Sequence, residues 1–468
     1  MNEEGDIDSP LLRSNDVKGG DLGSILYLAV GIIAARFSWV VIKTTDTALL
    51  GHVSTHALEA SSMADLYMSS TGVITYGYVL SVFVANARGA NDSRMGCVWF
   101  AVSLSVLSIL TAFVMGLWLV VSNVLSLVGV DEQMSHDAGY FSAVLSLCLP
   151  ARSLFGQLSQ LFSGNGVVYP TAAASAFAAV CNLVMGLILV LGIPFKKFDG
   201  FGFDACPWVT VFAEYSQLLF FIFVFILFKK AHLEFWVPVK LSDITRSRVF
   251  EYLKLYVPAA LSAASDWWRV SLIGIFCAKL GDTELAVFNS SYRILWITLT
   301  VVGALAQSVG ILVGQNMASG DIHRSKSILH NGGSFTILTL LLLTVIIFLN
   351  LEEFAGIFSN DTEIKEVFLK IRTPLCLELF LMNMSVFFEG ILISLGKTRT
   401  VFWIGALGSW AGQVPACWIG TFYFKDLKMV FWGVSIGYGL TVFAMVWALA
   451  RMNWNDLATE ARSRAVCD

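Results

Sequence analysis

The feature that most constrains this chain is a series of about twelve apolar stretches, each long enough to cross a lipid bilayer. A spanning helix needs about 20 apolar residues, and such segments recur from Leu22 to Arg451. Hydrophobic residues make up 56% of the 468 residues and charged residues only 14%, whereas a soluble domain carries roughly a quarter charged residues. The sequence therefore predicts an all-α integral membrane protein with about twelve transmembrane helices.

The two halves of the chain resemble each other. THALEASSM after the first span parallels DTELAVFNSS after the seventh, and ANARGAND after the second parallels GQNMASGD after the eighth. Because each half holds six spans, the repeats share one topology, and such repeats suit alternating access across a central cleft. We therefore expect two six-helix lobes. The predicted division is a disordered tail (1–21), an N-lobe (22–228), a linker (229–249), a C-lobe (250–452) and a C-terminal tail (453–468).

The charge of the loops indicates the orientation. Lys and Arg are concentrated in the even-numbered loops, whereas the third loop, Val128–Ala138, and the ninth, Asn350–Glu363, contain neither. Basic loops stay in the cytosol, so an even number of spans places both termini and the linker there. The acidic, polar N-terminal segment lacks the features of a cleaved signal peptide. A plasma membrane and a vacuolar or lysosomal-type membrane both fit the sequence.

Composition and motifs argue against several classes of protein. A net charge of −4 is too close to neutral to indicate a nucleic-acid partner. The six histidines form no HxxxD or HExxH pattern, and the eight cysteines form no CxxC pair. We therefore expect no metal site, no disulfide framework, no enzymatic activity and no cofactor other than a coupling ion. We expect the protein to act as a monomer in the bilayer on a small-molecule substrate.

Several motifs resemble those of the multidrug and toxin extrusion (MATE) transporters. TTDTALLGHVSTHALEA resembles the first signature of that family, and SLGKTRTVFWIGALGSWAGQVP resembles the junction of its tenth and eleventh spans. The resemblance extends from about Leu22 to Arg464 and implies a MATE-like fold with a MOP-type repeat. It also implies antiport, in which H⁺, preferred here over Na⁺, enters as a small organic compound is exported. A lipid-linked oligosaccharide flippase of the same superfamily and an exporter of organic anions remain alternatives.

The resemblance assigns a cation-coupling site to the N-lobe. Asp46 matches the family's first-span aspartate, Asn182 its fifth-span asparagine and Thr210 its sixth-span threonine. A carboxylate in a poorly hydrated cleft can bind and release a proton near neutral pH, and amide and hydroxyl partners can hydrogen-bond either form. Gly186 stands where some prokaryotic members have a second aspartate, so we expect Asn182 and Thr210 to be the partners. The alternative is an i,i+3 ion pair between Asp46 and Lys43.

A second site, for substrate or a second cation, is predicted in the C-lobe. Asp266 takes the position of the seventh-span glutamate of eukaryotic members, and Arg269 at i,i+3 offers it a purely structural partner. The family's tenth-span acid aligns with Met382, so that carboxylate is absent. Glu378 and Glu389 lie four and seven residues away on the same helical face. Either glutamate is a candidate substitute.

Aromatic and basic residues complete the predicted C-lobe site. Trp267 follows the predicted seventh-span acid and either stacks on a planar substrate or packs structurally. Arg293 stands where exporters of organic cations often carry glutamate. Together with Arg36, Lys43 and Arg269, it favours anionic or zwitterionic substrates unless nearby acids neutralise these side chains.

Overall fold

The computed structural model describes residues 20–75, 77–195, 198–358 and 362–465, so the predicted N-terminal tail lies almost entirely outside the described residues. The described residues are largely helical and contain no β strand. The helices of the first half are α1 (Gly20–Val53), α2 (Thr55–Gly72), α3 (Leu80–Gly89), α4 (Ser93–Leu119), α5 (Val121–Leu127), α6 (Glu132–Ser146), α7 (Leu149–Gly164), α8 (Tyr169–Leu189) and α9 (Ala205–Phe220), which continues as a π-helix (Phe221–Phe228).

The second half repeats this helical organisation. Its helices are α10 (Arg246–Ala278), α11 (Asp282–Ser319), α12 (Ile322–Leu349), α13 (Leu351–Phe358), α14 (Thr362–Ser394), α15 (Thr398–Ala406), α16 (Val414–Ile419), α17 (Leu427–Ala450) and α18 (Trp454–Ala465). Two π-helical segments, Leu407–Gln413 and Gly420–Phe424, flank α16 and carry the helical path on from α15.

These helices account for the predicted spans. Among the described residues, nine helical segments are long and apolar enough to cross a membrane, and the pair α6–α7, bent by 44°, makes a tenth. Pro150 in the first turn of α7 lies at this bend. The two other predicted spans are also helical. They are not counted among these ten because α10 carries charged residues along its length and the path through α15 and α16 is broken into short pieces. The prediction of an all-α protein with many membrane spans is confirmed.

The basic loops and both described termini lie at one end of the molecule. Arg324 at the start of α12 pairs with Asp21 at the start of α1 at 3.2 Å. Lys397, just before α15, pairs with Glu460 in α18 at 2.8 Å. We call this the basic-loop end. Its position on the cytosolic side of the membrane stays a prediction from loop charge.

The segment predicted as the inter-lobe linker is folded onto the basic-loop end. Phe235 is buried there, and Asp243 accepts hydrogen bonds from the backbone N–H of Lys240 at 3.0 Å and from Arg94 at 3.3 Å. These donors hold the pKa of the Asp243 carboxyl below its usual range, because both favour the charged form. The linker is therefore tied to the first turn of α4.

The segment predicted as a C-terminal tail forms α18, which bridges the two halves. Trp99 of α4 donates its indole N–H to the carbonyl of Arg464 at 2.9 Å. Arg462 donates to the carbonyls of Ala318 and Ser319, at the end of α11, at 3.2 Å each. Docked chain ends of this kind are hard to foresee, because the docking surface comes from distant helices.

The two halves meet chiefly where α1 and α3 pack against α11. At the basic-loop end, Gln315 of α11 donates its amide N–H to the carbonyl of Gly164 at 2.9 Å. Gly89 lies so close to the backbone carbonyl of Gln315 that any side chain at position 89 would collide with it. These contacts bring the halves together at this end of the molecule. Deeper between the halves lies a cavity, which is described below.

Candidate coupling and substrate sites

Asp46 lies in α1 with its carboxylate enclosed by α8 and α9. The side-chain amide of Asn182 donates to Oδ1 at 3.0 Å, and the Thr210 hydroxyl donates to Oδ2 at 2.7 Å. All three residues are buried, with exposed fractions of 6%, 0% and 1%. These are the two partners expected from the sequence. Their role in ion coupling stays a prediction.

Both partners of Asp46 can serve either of its protonation states. The Oδ1 of Asn182 has no hydrogen-bond partner among the described residues, so rotation of the amide would present an acceptor to a protonated Asp46. The Thr210 hydroxyl can donate to the carboxylate or accept from the acid. The site can therefore keep Asp46 hydrogen-bonded whether or not it carries a proton.

The alternative ion pair between Asp46 and Lys43 is not formed. The Nζ of Lys43 lies 2.8 Å from Oδ1 of Asp65 in α2, and the two side chains are 29% and 38% exposed. Lys43 remains near enough to Asp46 to act on it electrostatically. This alternative does not hold because a second helix supplies the lysine with its own acid.

Gly186 shows why this site has no second aspartate. A Cβ at position 186 would meet a terminal methyl of Leu49, so an aspartate there would require the Leu49 side chain to move. Sequence reasoning missed a second charged pair in this half, in which Arg152 donates to Oε1 of Glu214 from Nη2 at 2.7 Å and from Nε at 3.0 Å. Charged residues inside apolar spans are the signal that could have found it.

Arg269 organises a polar cluster in the second half. Its side chain is 1% exposed and donates to the Tyr438 hydroxyl at 2.7 Å and to the side-chain oxygen of Gln413. The guanidinium also lies over the Tyr438 ring, 4.9 Å from its centroid. Asp266 forms the expected i,i+3 ion pair at 3.4 Å, yet 46% of its side chain stays exposed. Sequence reasoning singled out neither Gln413 nor Tyr438.

Glu378 is fully buried beside this cluster. Its exposed fraction is 0%, and neither carboxylate oxygen has an aligned hydrogen bond among the described residues. The Tyr292 hydroxyl lies beside the carboxylate and also lacks an aligned partner. Met382, where the family has its acid, is an apolar neighbour one turn along with 3% exposure. Among the described residues, the Glu378 carboxylate is therefore enclosed beside the Tyr292 hydroxyl but accepts no aligned hydrogen bond.

Glu389 lies apart from Glu378, in a cavity of about 200 Å³ between the two halves. The cavity is lined by α1, α3, α11 and α14. The Ser262 hydroxyl donates to Oε1 of Glu389 at 3.1 Å, and Arg36 donates from Nη2 to Oε1 of Gln307 at 2.9 Å. Eleven positions along α14 separate the two glutamates by about 16 Å at 1.5 Å per residue. The structure thus does not bring both predicted glutamates to one place.

Trp267 and Arg293 lie outside the lining of this cavity. Trp267 packs edge-on against Trp296 of α11, with ring centroids 5.1 Å apart. Arg293 is exposed on α11. The spacing of Arg293, Trp296 and Gln307 places them on one stripe of α11, with Arg293 about 21 Å from Gln307 along the axis.

Comparison with known proteins assigns the fold to a family. The MatE family model matches residues 32–188 and 258–419, one segment in each half. The chain belongs to the MATE family. It is therefore a transporter of the multidrug and toxin extrusion type, as the motifs around Asp46 and Asp266 implied.

Relatives of this MATE transporter come from bacteria and plants. A probable multidrug resistance protein NorM of Pseudomonas putida is 23% identical over 455 residues, which cover 92% of this chain and 96% of that protein. Protein DETOXIFICATION 13 of Arabidopsis thaliana is 20% identical over 455 residues, which cover 95% of this chain and 92% of that protein. Both alignments extend over nearly the whole chain.

Solved structures confirm the MATE fold. The crystal structure of the eukaryotic MATE transporter AtDTX14 matches with a TM-score of 0.86 at 18% identity, covering 95% of this chain and 99% of that one. The outward-facing conformation of a multidrug resistance MATE transporter matches with a TM-score of 0.84 at 17% identity, covering 96% and 99%. At such low identity the likeness concerns the fold alone.

Proposed function

We propose that this MATE transporter is an antiporter that couples proton entry to the export of small organic compounds. The observation that carries the proposal is the site of Asp46, a buried carboxylate whose Asn182 and Thr210 partners can hold it in either protonation state. Proton binding at Asp46 would favour one arrangement of the halves and proton release the other. The cavity between the halves would receive the substrate.

The donors around Asp46 favour H⁺ over Na⁺ as the coupling ion. Each carboxylate oxygen already accepts a hydrogen bond, one from the Asn182 amide and one from the Thr210 hydroxyl. A bound metal cation needs several oxygen ligands at once, so both groups would have to turn their oxygens toward it, because N–H and O–H donors point positive charge at the ion. Proton transfer requires only that Asn182 or Thr210 reverse its role.

The cavity also favours a small substrate over a lipid-linked oligosaccharide. Its volume is about 200 Å³, and Arg36 and Glu389 are its charged lining residues among those described. A flippase for a lipid-linked, negatively charged sugar would call for a larger and more basic cavity. We place the basic-loop end, with both termini, in the cytosol, in a plasma membrane or a vacuolar or lysosomal-type membrane. We propose that the protein works as a monomer and without catalysis.

Reconstitution into liposomes tests the proposal. Uptake of a cationic dye and of an organic anion would be measured under an imposed H⁺ gradient and then under an imposed Na⁺ gradient. We expect the H⁺ gradient alone to drive uphill movement of at least one of the two compounds. Movement driven by Na⁺ alone would overturn proton coupling, and current without counterflow would indicate a channel.

A further inference from the structure

Arg36 is a cation in the cavity that has no acidic partner among the described residues. Its guanidinium donates to the neutral side chain of Gln307 at 2.9 Å, and no carboxylate of the described residues lies within 4.0 Å of it. Of the other cations that the sequence placed near the cleft, Arg293 is exposed and lies outside the lining of the cavity, and the other two have acids. Lys43 has Asp65, and Arg269 has Asp266.

The surroundings of Arg36 are shaped for a guanidinium but do not neutralise it. Gly303 of α11 lies directly against Nη1, so a larger residue there would displace the guanidinium from this position. One turn further, α11 offers the amide of Gln307 rather than a carboxylate. A charge held inside a membrane protein is costly without a counter-ion, so an acid would be expected at position 307 if Arg36 had only a structural role.

Arg36 also keeps most of its hydrogen-bonding capacity free. A guanidinium has five N–H donors in a planar fork that matches a carboxylate, and Gln307 accepts from one nitrogen, Nη2. Glu389 lines the same cavity from α14. The cavity thus offers a guanidinium from one half and a carboxyl group from the other.

We propose that Arg36 binds the carboxylate of the transported compound, and that the substrates are small organic molecules bearing a carboxylate. Zwitterions are included, because their cationic group would face Glu389. This inference rests on the proposed function, in which substrate enters this cavity. The carboxylate of the substrate supplies the counter-ion that the chain does not provide, through charge-assisted and geometrically matched hydrogen bonds.

A binding experiment on the whole protein in detergent tests this without relying on transport. Calorimetry would compare two matched pairs of probes, N-methylnicotinate with N-methylnicotinamide and phthalate with phthalamide. Each pair differs in carboxylate against carboxamide on one ring. We expect the carboxylate of at least one pair to bind more tightly, and Arg36→Gln to raise its Kd by about 10- to 100-fold, the range for hydrogen bonds to charged groups.

Gln307→Glu separates recognition from structural support. The substitution places a carboxylate beside Arg36 at hydrogen-bonding distance, so we expect it to weaken carboxylate binding as much as Arg36→Gln does, by competition for the guanidinium. If Arg36 only supports the fold, the new ion pair would leave binding unchanged. Arg36→Lys should bind at an intermediate level, because its charge remains but the planar fork is lost. Arg451→Gln, which removes an arginine near the C-terminal end of α17, is the matched control.

The outcomes separate this inference from the proposed function. The inference would be overturned if both carboxylates bind no more tightly than their matched carboxamides. An unchanged Kd for the carboxylate in Arg36→Gln would also overturn it. Proton flux would then be measured in liposomes for the same probes. Carboxylate binding that depends on Arg36 without any proton flux would overturn the proposed coupling and keep the inference. Proton flux with carboxamides alone would overturn the inference and keep the proposed coupling.

Discussion

Two buried carboxylates, one in each half, occupy opposite kinds of environment. Asp46 receives a hydrogen bond at each oxygen, from Asn182 and Thr210. Glu378 is at least as deeply buried, yet no aligned donor meets either of its oxygens among the described residues. The nearby Arg269 directs its two terminal nitrogens toward Gln413 and Tyr438. Burial is thus the same in the two places, whereas hydrogen-bonding support is different.

The difference teaches what a proton-exchanging site requires beyond burial. A buried carboxylate without aligned donors is costly in its ionised form, so Glu378 favours its neutral form. Asp46 has partners that can serve both of its states, because the Asn182 amide can rotate and the Thr210 hydroxyl can either donate or accept. On this account the exchanging acid is Asp46, whereas Glu378 stays in its neutral form beside Arg269, whose acidic partner is Asp266. The predictions below test this contrast.

The largest effect is expected from Asp46→Asn. Asparagine has nearly the same shape but cannot bind a proton, so we expect efflux driven by a pH gradient to fall to the rate of empty liposomes. Counterflow exchange of substrate at equal pH should continue, because the cavity is unchanged. The measurement is efflux from proteoliposomes with and without the gradient. Full gradient-driven efflux by Asp46→Asn would contradict the role of Asp46.

The next effect concerns the separation of Lys43 from Asp46. Asp65→Asn removes the acid that holds Lys43 at 2.8 Å, so we expect Lys43 to pair with Asp46 and reduce gradient-driven efflux by about tenfold, within the range of coupling energies for contacting residues. Adding Lys43→Gln should restore most of the efflux. A double variant as impaired as Asp65→Asn alone would show that Asp65 acts in another way.

A smaller effect, in pH dependence, is expected from Thr210→Val. The Thr210 hydroxyl donates to Oδ2 of Asp46 at 2.7 Å, which stabilises the ionised form. Without it the protonated form persists to higher pH, so the midpoint of proton release should move upward. A hydrogen bond to a charged group corresponds to roughly one to two pH units. Thr210→Ser keeps the donor and should show the original midpoint of the efflux–pH profile.

The smallest effect is expected from Glu378→Gln. Glutamine preserves the shape and the neutral charge of the protonated acid, and the bonds of Arg269 to Tyr438 and Gln413 do not involve Glu378. We expect gradient-driven efflux to stay within about twofold of the unsubstituted protein, because the substitution breaks no aligned hydrogen bond. A loss as complete as that of Asp46→Asn would transfer the coupling site to the second half.

The sequence predicted the parts of this picture that depend on position along the chain. The apolar spans, the repeat and the family motifs located Asp46, Asn182 and Thr210 on three spans, and the structure brings their side chains into contact. The contacts that depend on helix packing could not be read in this way. Asp65 reaches Lys43 from another helix, and Gln307 meets Arg36 across the two halves.

Distance along a helix was the other limit of sequence reasoning. Glu378 and Glu389 share one face of α14. Helical periodicity predicts which face a residue lies on, but it does not predict what packs against that residue. Only the structure shows that Glu389 lines the cavity between the halves whereas Glu378 is enclosed beside Arg269. The exposed position of Arg293 likewise depends on how α11 packs.

The most direct test of the account is the proton released when substrate binds. Purified protein in detergent, in weak buffer with a pH-sensitive dye, would be mixed with the probe that it binds best. The account predicts release of about one proton by the unsubstituted protein and by Glu378→Gln, and none by Asp46→Asn, since one exchanging acid accounts for the coupling. Release that persists in Asp46→Asn and disappears in Glu378→Gln would contradict it.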